Sequence, residues 1–244
     1  MPKLPADALA EKSGSQSTHN INFRIAEAYR TIRTNLLFTL ANKENHMVIF
    51  TSAEPGAGKS TLCSNLAILM AQTGAHVLLI DADMRKPVQH RNFRLRKSEG
   101  LSKILSGLAD VQTCLNKEVS PNLDLIVSGP IPPNPSELLG SDQMMKLMEW
   151  AEKEYDYIFL DMPPLSVVTD ALVATPMAAG VVLVARQRQT TYDELGECVS
   201  ALEQAKANLL GVVITDAKEE KSAYGLYDRK RYYRSYNYVY KEKA

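Results

Sequence analysis

A chain of 244 residues with 45% apolar and 23% charged side chains has room for one well-buried domain and is not of disordered or fibrous composition. Its 28 basic and 28 acidic residues cancel, which removes the electrostatic case for nucleic acid as a partner. The three cysteines, Cys63, Cys114 and Cys198, lie far apart with no CxxC pattern, so neither a disulfide framework nor a zinc site is expected.

Residues 1–20 are polar and Ser-rich, lack the apolar core of a signal peptide, and read as a flexible arm. Over 21–41, Ile25, Tyr29, Ile32, Leu36 and Leu40 recur at helical spacing, with Glu27, Arg30 and Arg33 between them. This predicts an amphipathic helix with a charged face. The pattern then alternates. HMVIFTS (46–52) reads as a strand, residues 60–74 as a helix closed by a glycine, and AHVLLIDAD (75–83) as a second strand. Short helices are expected at 101–106 and 110–117, a strand at 123–129, and one or two helices over 136–154. Strands at 156–161, 180–186 and 209–215 follow, the last two separated by a helix at 191–207.

Apolar runs rich in Val, Ile and Leu are typical of strands buried on both faces, and strands alternating with helices predict a doubly wound, mostly parallel α/β sheet. A single P-loop domain over 21–217 is therefore expected, followed by a disordered tail over 218–244. That tail holds Tyr224, Tyr227, Tyr232, Tyr233, Tyr236, Tyr238 and Tyr240, seven of the chain's eleven tyrosines. No apolar run approaches the roughly 20 residues that span a bilayer. A cytoplasmic protein with peripheral membrane association at most is the expectation.

The first strand leads directly into Glu54-Pro55-Gly56-Ala57-Gly58-Lys59-Ser60-Thr61, which fits GxxxxGK[ST] except that Ala53 stands where the first glycine is usual. Glycines let backbone N–H groups curl around a phosphate, and the helix N-terminus adds its positive dipole. In such a loop Lys59 reaches the β- and γ-phosphates and the Ser60 hydroxyl serves Mg²⁺, so ATP and Mg²⁺ are the expected cofactors. Asp81 and Asp83 close the second strand and Asp161 closes YIFLD, at the carboxyl ends where open α/β sheets bind ligands. Carboxylates there can hold a metal or accept a proton, or they can cap the segments that follow.

The set SAEPGAGKST, VLLIDADMRKP (77–87) and YIFLDMPP (157–164) resembles the bacterial tyrosine kinases of capsular and exopolysaccharide export, and the resemblance covers nearly the whole chain. It includes Glu27-x-x-Arg30-x-x-Arg33, which is similar to that family's ExxRxxR oligomerisation motif, and the terminal tyrosine cluster. The resemblance implies that Lys59 holds phosphates and Ser60 ligates Mg²⁺. It further implies that Asp81 receives the tyrosine proton while Asp83 and Asp161 position the metal. Arg85 and Lys86, next to Asp83, would engage phosphate or an acidic partner, or simply form a solvated basic turn. The tail tyrosines would be autophosphorylation sites, entering a neighbouring subunit of a ring built through 21–41. A transmembrane activator of the chain-length-determinant type, which would hold the kinase at the inner face of the membrane, and a cognate phosphotyrosine phosphatase are implied as partners.

Two departures stand out: Ala57 occupies a position that is often Glu in the family, and Thr215 one where the family commonly has Asn. Arg186 fits a place near the nucleotide or an ordinary surface site. Two rival readings share the superfold, a partitioning-type ATPase and a nucleotide-gated scaffold. Glu54 stands where such ATPases carry a signature lysine, which disfavours the first.

Overall fold

The computed structural model describes residues 16–95 and 99–217, so the tyrosine cluster at 224–240 lies outside the described residues. The elements, in chain order, are α1 (Gln16–Leu40), β1 (Met47–Ser52), α2 (Lys59–Ala71), β2 (Val77–Asp81) and α3 (Gln89–Asn92). Then come α4 (Leu101–Leu105), α5 (Val111–Cys114), β3 (Leu115–Ser120), β4 (Leu123–Ile126), α6 (Pro135–Leu139) and α7 (Asp142–Glu154). The chain continues through β5 (Tyr157–Asp161), α8 (Asp170–Ala174), a single 3₁₀ turn, β6 (Gly180–Arg186), α9 (Tyr192–Gln204) and β7 (Leu209–Thr215).

The seven strands form one sheet in the order β3-β4-β2-β5-β1-β6-β7. Every neighbouring pair is parallel except β3 with β4. The alternation of a strand explains the two cores: Met47 and Ile49 of β1 face one cluster, Val48 and Phe50 the other. The first cluster is covered by Met144, Leu147, Met148 and Ala151 of α7. The second is covered by Leu62, Leu66 and Met70 of α2 and by Leu36 and Leu40 of α1. A helix on each face is what lets the central strands be apolar throughout. No helix among the described residues is long and apolar enough to cross a membrane.

Two boundaries differ from the expectation. The first helix begins at Gln16, inside the segment read as an arm. The helix expected over 110–117 stops at Cys114, and residues 115–120 form the antiparallel edge strand β3. Asp110 caps that short helix by accepting the Thr113 amide. Beyond it the chain doubles back through Asn122 at φ 59°, a left-handed conformation that asparagine tolerates, into β4. Position on the sheet decided the structure here, because edge residues are half exposed and carry no apolar signature.

Candidate active site

All parallel strands point their carboxyl ends to one rim of the sheet, and the predicted site residues meet there. The loop after β1 carries Gly56 at φ 83° and Gly58 at φ 90°, both in the left-handed region where glycine is favoured. Gly58 is the N-cap of the 13-residue helix α2 and supplies no side-chain acceptor, leaving the first amides of α2 to an anion.

The carbonyls of this loop are braced by side chains at the ends of β1, β6 and β7. Ser52 Oγ donates to the Glu54 carbonyl (2.8 Å), Arg186 to that of Gly56 (3.3 Å), and Thr215 Oγ1 to that of Ala57 (2.6 Å). In a planar trans peptide the N–H points opposite to the C=O, so fixing the Gly56 and Ala57 carbonyls also fixes the direction of the Ala57 and Gly58 amides, whereas the Glu54 carbonyl precedes Pro55, which has no N–H. The Glu54 carboxylate accepts the Thr190 hydroxyl at 2.6 Å and is thereby held within its own chain. Thr61 follows Ser60 in the first turn of α2 and is half-buried.

Lys59, almost fully buried, lies between two acids, its Nζ 3.0 Å from Asp161 Oδ1 and 3.2 Å from Asp83 Oδ2. Ser60 Oγ donates to the same Asp161 oxygen at 3.1 Å. Burial works against the Lys59 ammonium, but Asp161 and Asp83 more than offset it and hold its pKa above the ordinary lysine value. Asp83 also accepts the Lys86 amide with its other oxygen, so it both pairs with the lysine and caps the turn.

Asp81 and Asp161 are register partners on adjacent parallel strands and are both completely buried. Asp81 Oδ2 accepts the amides of Val88 (3.0 Å) and Gln89 (2.8 Å), capping α3. Asp81 Oδ1 is buried with no partner. Burial, reinforced by the charge of Asp161, pushes the Asp81 carboxyl up to about 8, against the lowering effect of the Gln89 amide and Lys59.

Four contributors were not singled out in the sequence. Gln89, fully buried, donates its side-chain amide to Asp161 Oδ2 (2.7 Å) and to the Ser60 carbonyl (3.1 Å). Asp170 and Ser136 meet Arg85: the guanidinium makes a two-pronged bond to the buried Asp170 carboxylate at 2.9 and 3.0 Å, and Ser136 Oγ also donates to it. Arg85 thus finds an acidic partner in its own chain and ties the turn after β2 to α6 and α8, while Lys86 is exposed. Thr190, the partner of Glu54, is the fourth. None had a sequence signal, because each acts only on a segment far away in the chain.

The predicted oligomerisation residues lie on α1. Glu27 and Arg30 form an ion pair on its accessible side. Arg33 turns toward α2 and donates to the Leu69 carbonyl at 3.2 Å. Tyr29 joins it there, accepting from Asn65 at 3.0 Å. The cysteines are all buried and free, as a reduced packing role requires.

The oxygen donors present suit Mg²⁺: Ser60 Oγ, Asp83, Asp161 and the unpartnered Asp81 Oδ1 are all hard ligands. Among the described residues, no group of three or more His, Cys, Asp and Glu side chains is arranged to hold a metal by itself.

Residues 45–209 match the family described as an AAA domain. Along 91% of its length the chain is 39% identical to the tyrosine-protein kinase YwqD of Bacillus subtilis, covering 97% of that protein. It is 36% identical to the tyrosine-protein kinase wzc of Salmonella typhimurium over 81% of its length, but spans only 28% of that larger protein. Among solved structures, the kinase domain of the Escherichia coli tyrosine kinase ETK superposes with a TM-score of 0.74 at 38% identity, over 80% of this chain and 78% of that one. The chimerical protein CapA2B2 gives the same TM-score at 39% identity, over 78% and 84% of the two chains. A MinD cell-division ATPase of Pyrococcus furiosus, at 20% identity and TM-score 0.59, shares the fold alone. With its phosphate loop, its paired acidic strand ends and these relatives together, the chain belongs to the bacterial P-loop tyrosine-protein kinases.

Proposed function

We propose that the protein transfers the γ-phosphoryl group of ATP to protein tyrosine, including the tyrosines of its own segment 218–244. The observation that carries this reading is Asp81 Oδ1, a buried carboxylate oxygen without a partner, beside the lysine and acids of a phosphate-binding loop. A phenol with a pKa of about 10 gives up its proton poorly to an ordinary aspartate of about 4. A carboxyl with a raised pKa is a better match in its ionised form, so transfer should speed up as pH rises toward about 8.

In this reading the amides of 56–61 and Lys59 hold the β- and γ-phosphates. Ser60, Asp83 and Asp161 hold Mg²⁺, which supplies neutralisation of charge on the transferred group. The tyrosine oxygen attacks the γ-phosphorus, the bond to the β–γ bridging oxygen breaks, and ADP leaves. The phenolic proton passes to Asp81.

Tyr224, Tyr227, Tyr232, Tyr233, Tyr236, Tyr238 and Tyr240 are the proposed acceptors, presented to a neighbouring subunit of a ring assembled through α1. Glu27 and Arg30 are accessible for that contact, and Arg33 fixes the helix on α2. A transmembrane activator of the chain-length-determinant type would recruit the kinase to the inner face of the cell membrane, and a phosphotyrosine phosphatase would reset it. The process served is capsular or exopolysaccharide synthesis and export.

The test is incubation with Mg²⁺-ATP followed by mass spectrometry of residues 218–244, with Lys59→Met and Asp81→Ala as controls. Phosphotyrosine in the wild type and none in the two variants, each shown folded by circular dichroism, supports the kinase and both roles. Free phosphate without phosphotyrosine, even with an activator peptide present, would replace this reading with an ATPase.

A further inference from the structure

Asp161 has two oxygens with different neighbours. Oδ1 faces Lys59 and Ser60, where phosphate and metal are handled. Oδ2 faces away and receives one donor at 2.7 Å, the Gln89 side-chain amide. The second hydrogen of that amide goes to the Ser60 carbonyl. The Gln89 backbone N–H goes to Asp81 Oδ2. One fully buried residue therefore touches the phosphate loop, the end of β2 and the end of β5 at once.

The orientation of the amide is itself fixed. A glutamine side chain can be turned end for end at little steric cost, and the network alone decides which end faces where. Here Asn92 Nδ2 donates to Gln89 Oε1 at 3.0 Å, so the acceptor end is occupied and the donor end must face Asp161. Asn92 sits one helical turn along α3, and α3 is anchored by the Asp81 cap, so the acids and the amides hold one another. Gln89 is neutral, so it satisfies Asp161 Oδ2 without cancelling the charge that Oδ1 needs.

We infer that Gln89, oriented by Asn92, is a positioning residue that locks the rotation of the Asp161 carboxylate so that Oδ1 stays directed at Ser60 and the phosphate site. This rests on the kinase reading above. Without the lock the carboxylate turns about its last bond, and a small misplacement of a charged group at a transfer site costs rate more than it costs ground-state binding.

The experiment compares wild type, Gln89→Met, Asn92→Ala and Asn92→Asp. Gln89→Met keeps the length of the side chain and removes the donors. Asn92→Asp puts an acceptor where the donor stood, so the glutamine amide turns and presents its oxygen to Asp161. Asn92→Ala removes the clamp without reversing it.

Two readouts are taken beside thermal melting: kcat and KM for ATP in tyrosine phosphorylation, and Kd of a fluorescent ATP analogue with Mg²⁺ and with EDTA. For Gln89→Met, kcat falls about tenfold or more and the Mg²⁺-dependent gain in affinity shrinks, while Kd in EDTA stays within about twofold. Asn92→Asp moves the same way and further than Asn92→Ala, and this pair decides the matter if Gln89→Met does not fold. Wild-type values in Gln89→Met, or equal effects in the two Asn92 variants, would overturn the inference. If the wild type makes no phosphotyrosine, the kinase reading fails, and the Mg²⁺-dependent affinities still decide the role of Gln89.

Discussion

The Thr215 hydroxyl, at the last residue of β7, donates to the Ala57 carbonyl of the phosphate loop at 2.6 Å, across 158 residues of sequence. Both residues are buried, so Thr215 acts on the nucleotide site by shaping the loop from behind. It also lies 3.4 Å from the Ala185 carbonyl, which joins the ends of β6 and β7 to the same brace. Thr215→Val keeps the shape and removes the donor, leaving a buried carbonyl short of its partner. The expected loss of stability is about 1–3 kcal/mol in urea denaturation. A several-fold weaker Kd for a fluorescent ATP analogue should accompany it, and Thr215→Ser should keep both. Unchanged ATP affinity in the valine variant would restrict Thr215 to a purely structural role.

Arg186 touches the same loop with a different balance of forces. It donates to the Gly56 carbonyl and pairs with Asp216 at 3.2 Å, with both charged side chains well exposed to solvent. Exposed pairs contribute about 0–1 kcal/mol and are screened by salt. Asp216→Asn should therefore shift stability by less than about 1 kcal/mol, and that shift should vanish at high ionic strength. Arg186→Ala also removes the contact with the Gly56 carbonyl of the phosphate loop, so KM for ATP should rise several-fold at low and high salt alike. If the two variants behave identically, the contact with Gly56 is idle.

Most of the sheet could be read from the chain because its inner strands are buried on both sides. VLLID and GVVLVAR have almost no position at which a polar residue is tolerated. Edge strand β3 (LNKEVS) has no such constraint, and Lys117 and Glu118 are exposed, so its apolar spacing blends into the short helix before it. The phosphate loop and its acids were legible because that chemistry dictates residue types at fixed spacing. Gln89 was not, since its partner Asp161 lies 72 residues away and any side chain of the right length and polarity would have looked the same. The same holds for Thr190 with Glu54 and for Asp170 with Arg85, contacts that only the topology brings together.

Asp81 makes the metal-free protein sensitive to pH. Its folded pKa of about 8 lies above the unfolded value of 3.8, so between these the native state holds a proton that the unfolded chain releases. Stability then falls as pH rises through this window, the reverse of an ordinary ion-paired aspartate. Asp81→Asn cannot ionise and should show a flatter curve, with its advantage over wild type growing toward about pH 8. Thermal melting in EDTA across the range checks this. Parallel curves for the two proteins would mean that Asp81 is ionised in both states.

Replacing Lys59 should weaken the fold as well as phosphate binding. Its ammonium compensates Asp83 and Asp161, which are almost entirely inaccessible. Removing one member of a buried ion pair leaves charge without compensation, a loss of about 3–5 kcal/mol. Lys59→Met should therefore melt well below wild type. Adding Asp161→Asn to Lys59→Met removes one uncompensated charge and should recover part of the stability while ATP binding stays lost. Melting of the three proteins, beside their affinity for ATP, separates the two functions of the lysine. A Lys59→Met protein as stable as wild type would show that the acids do not depend on the ammonium.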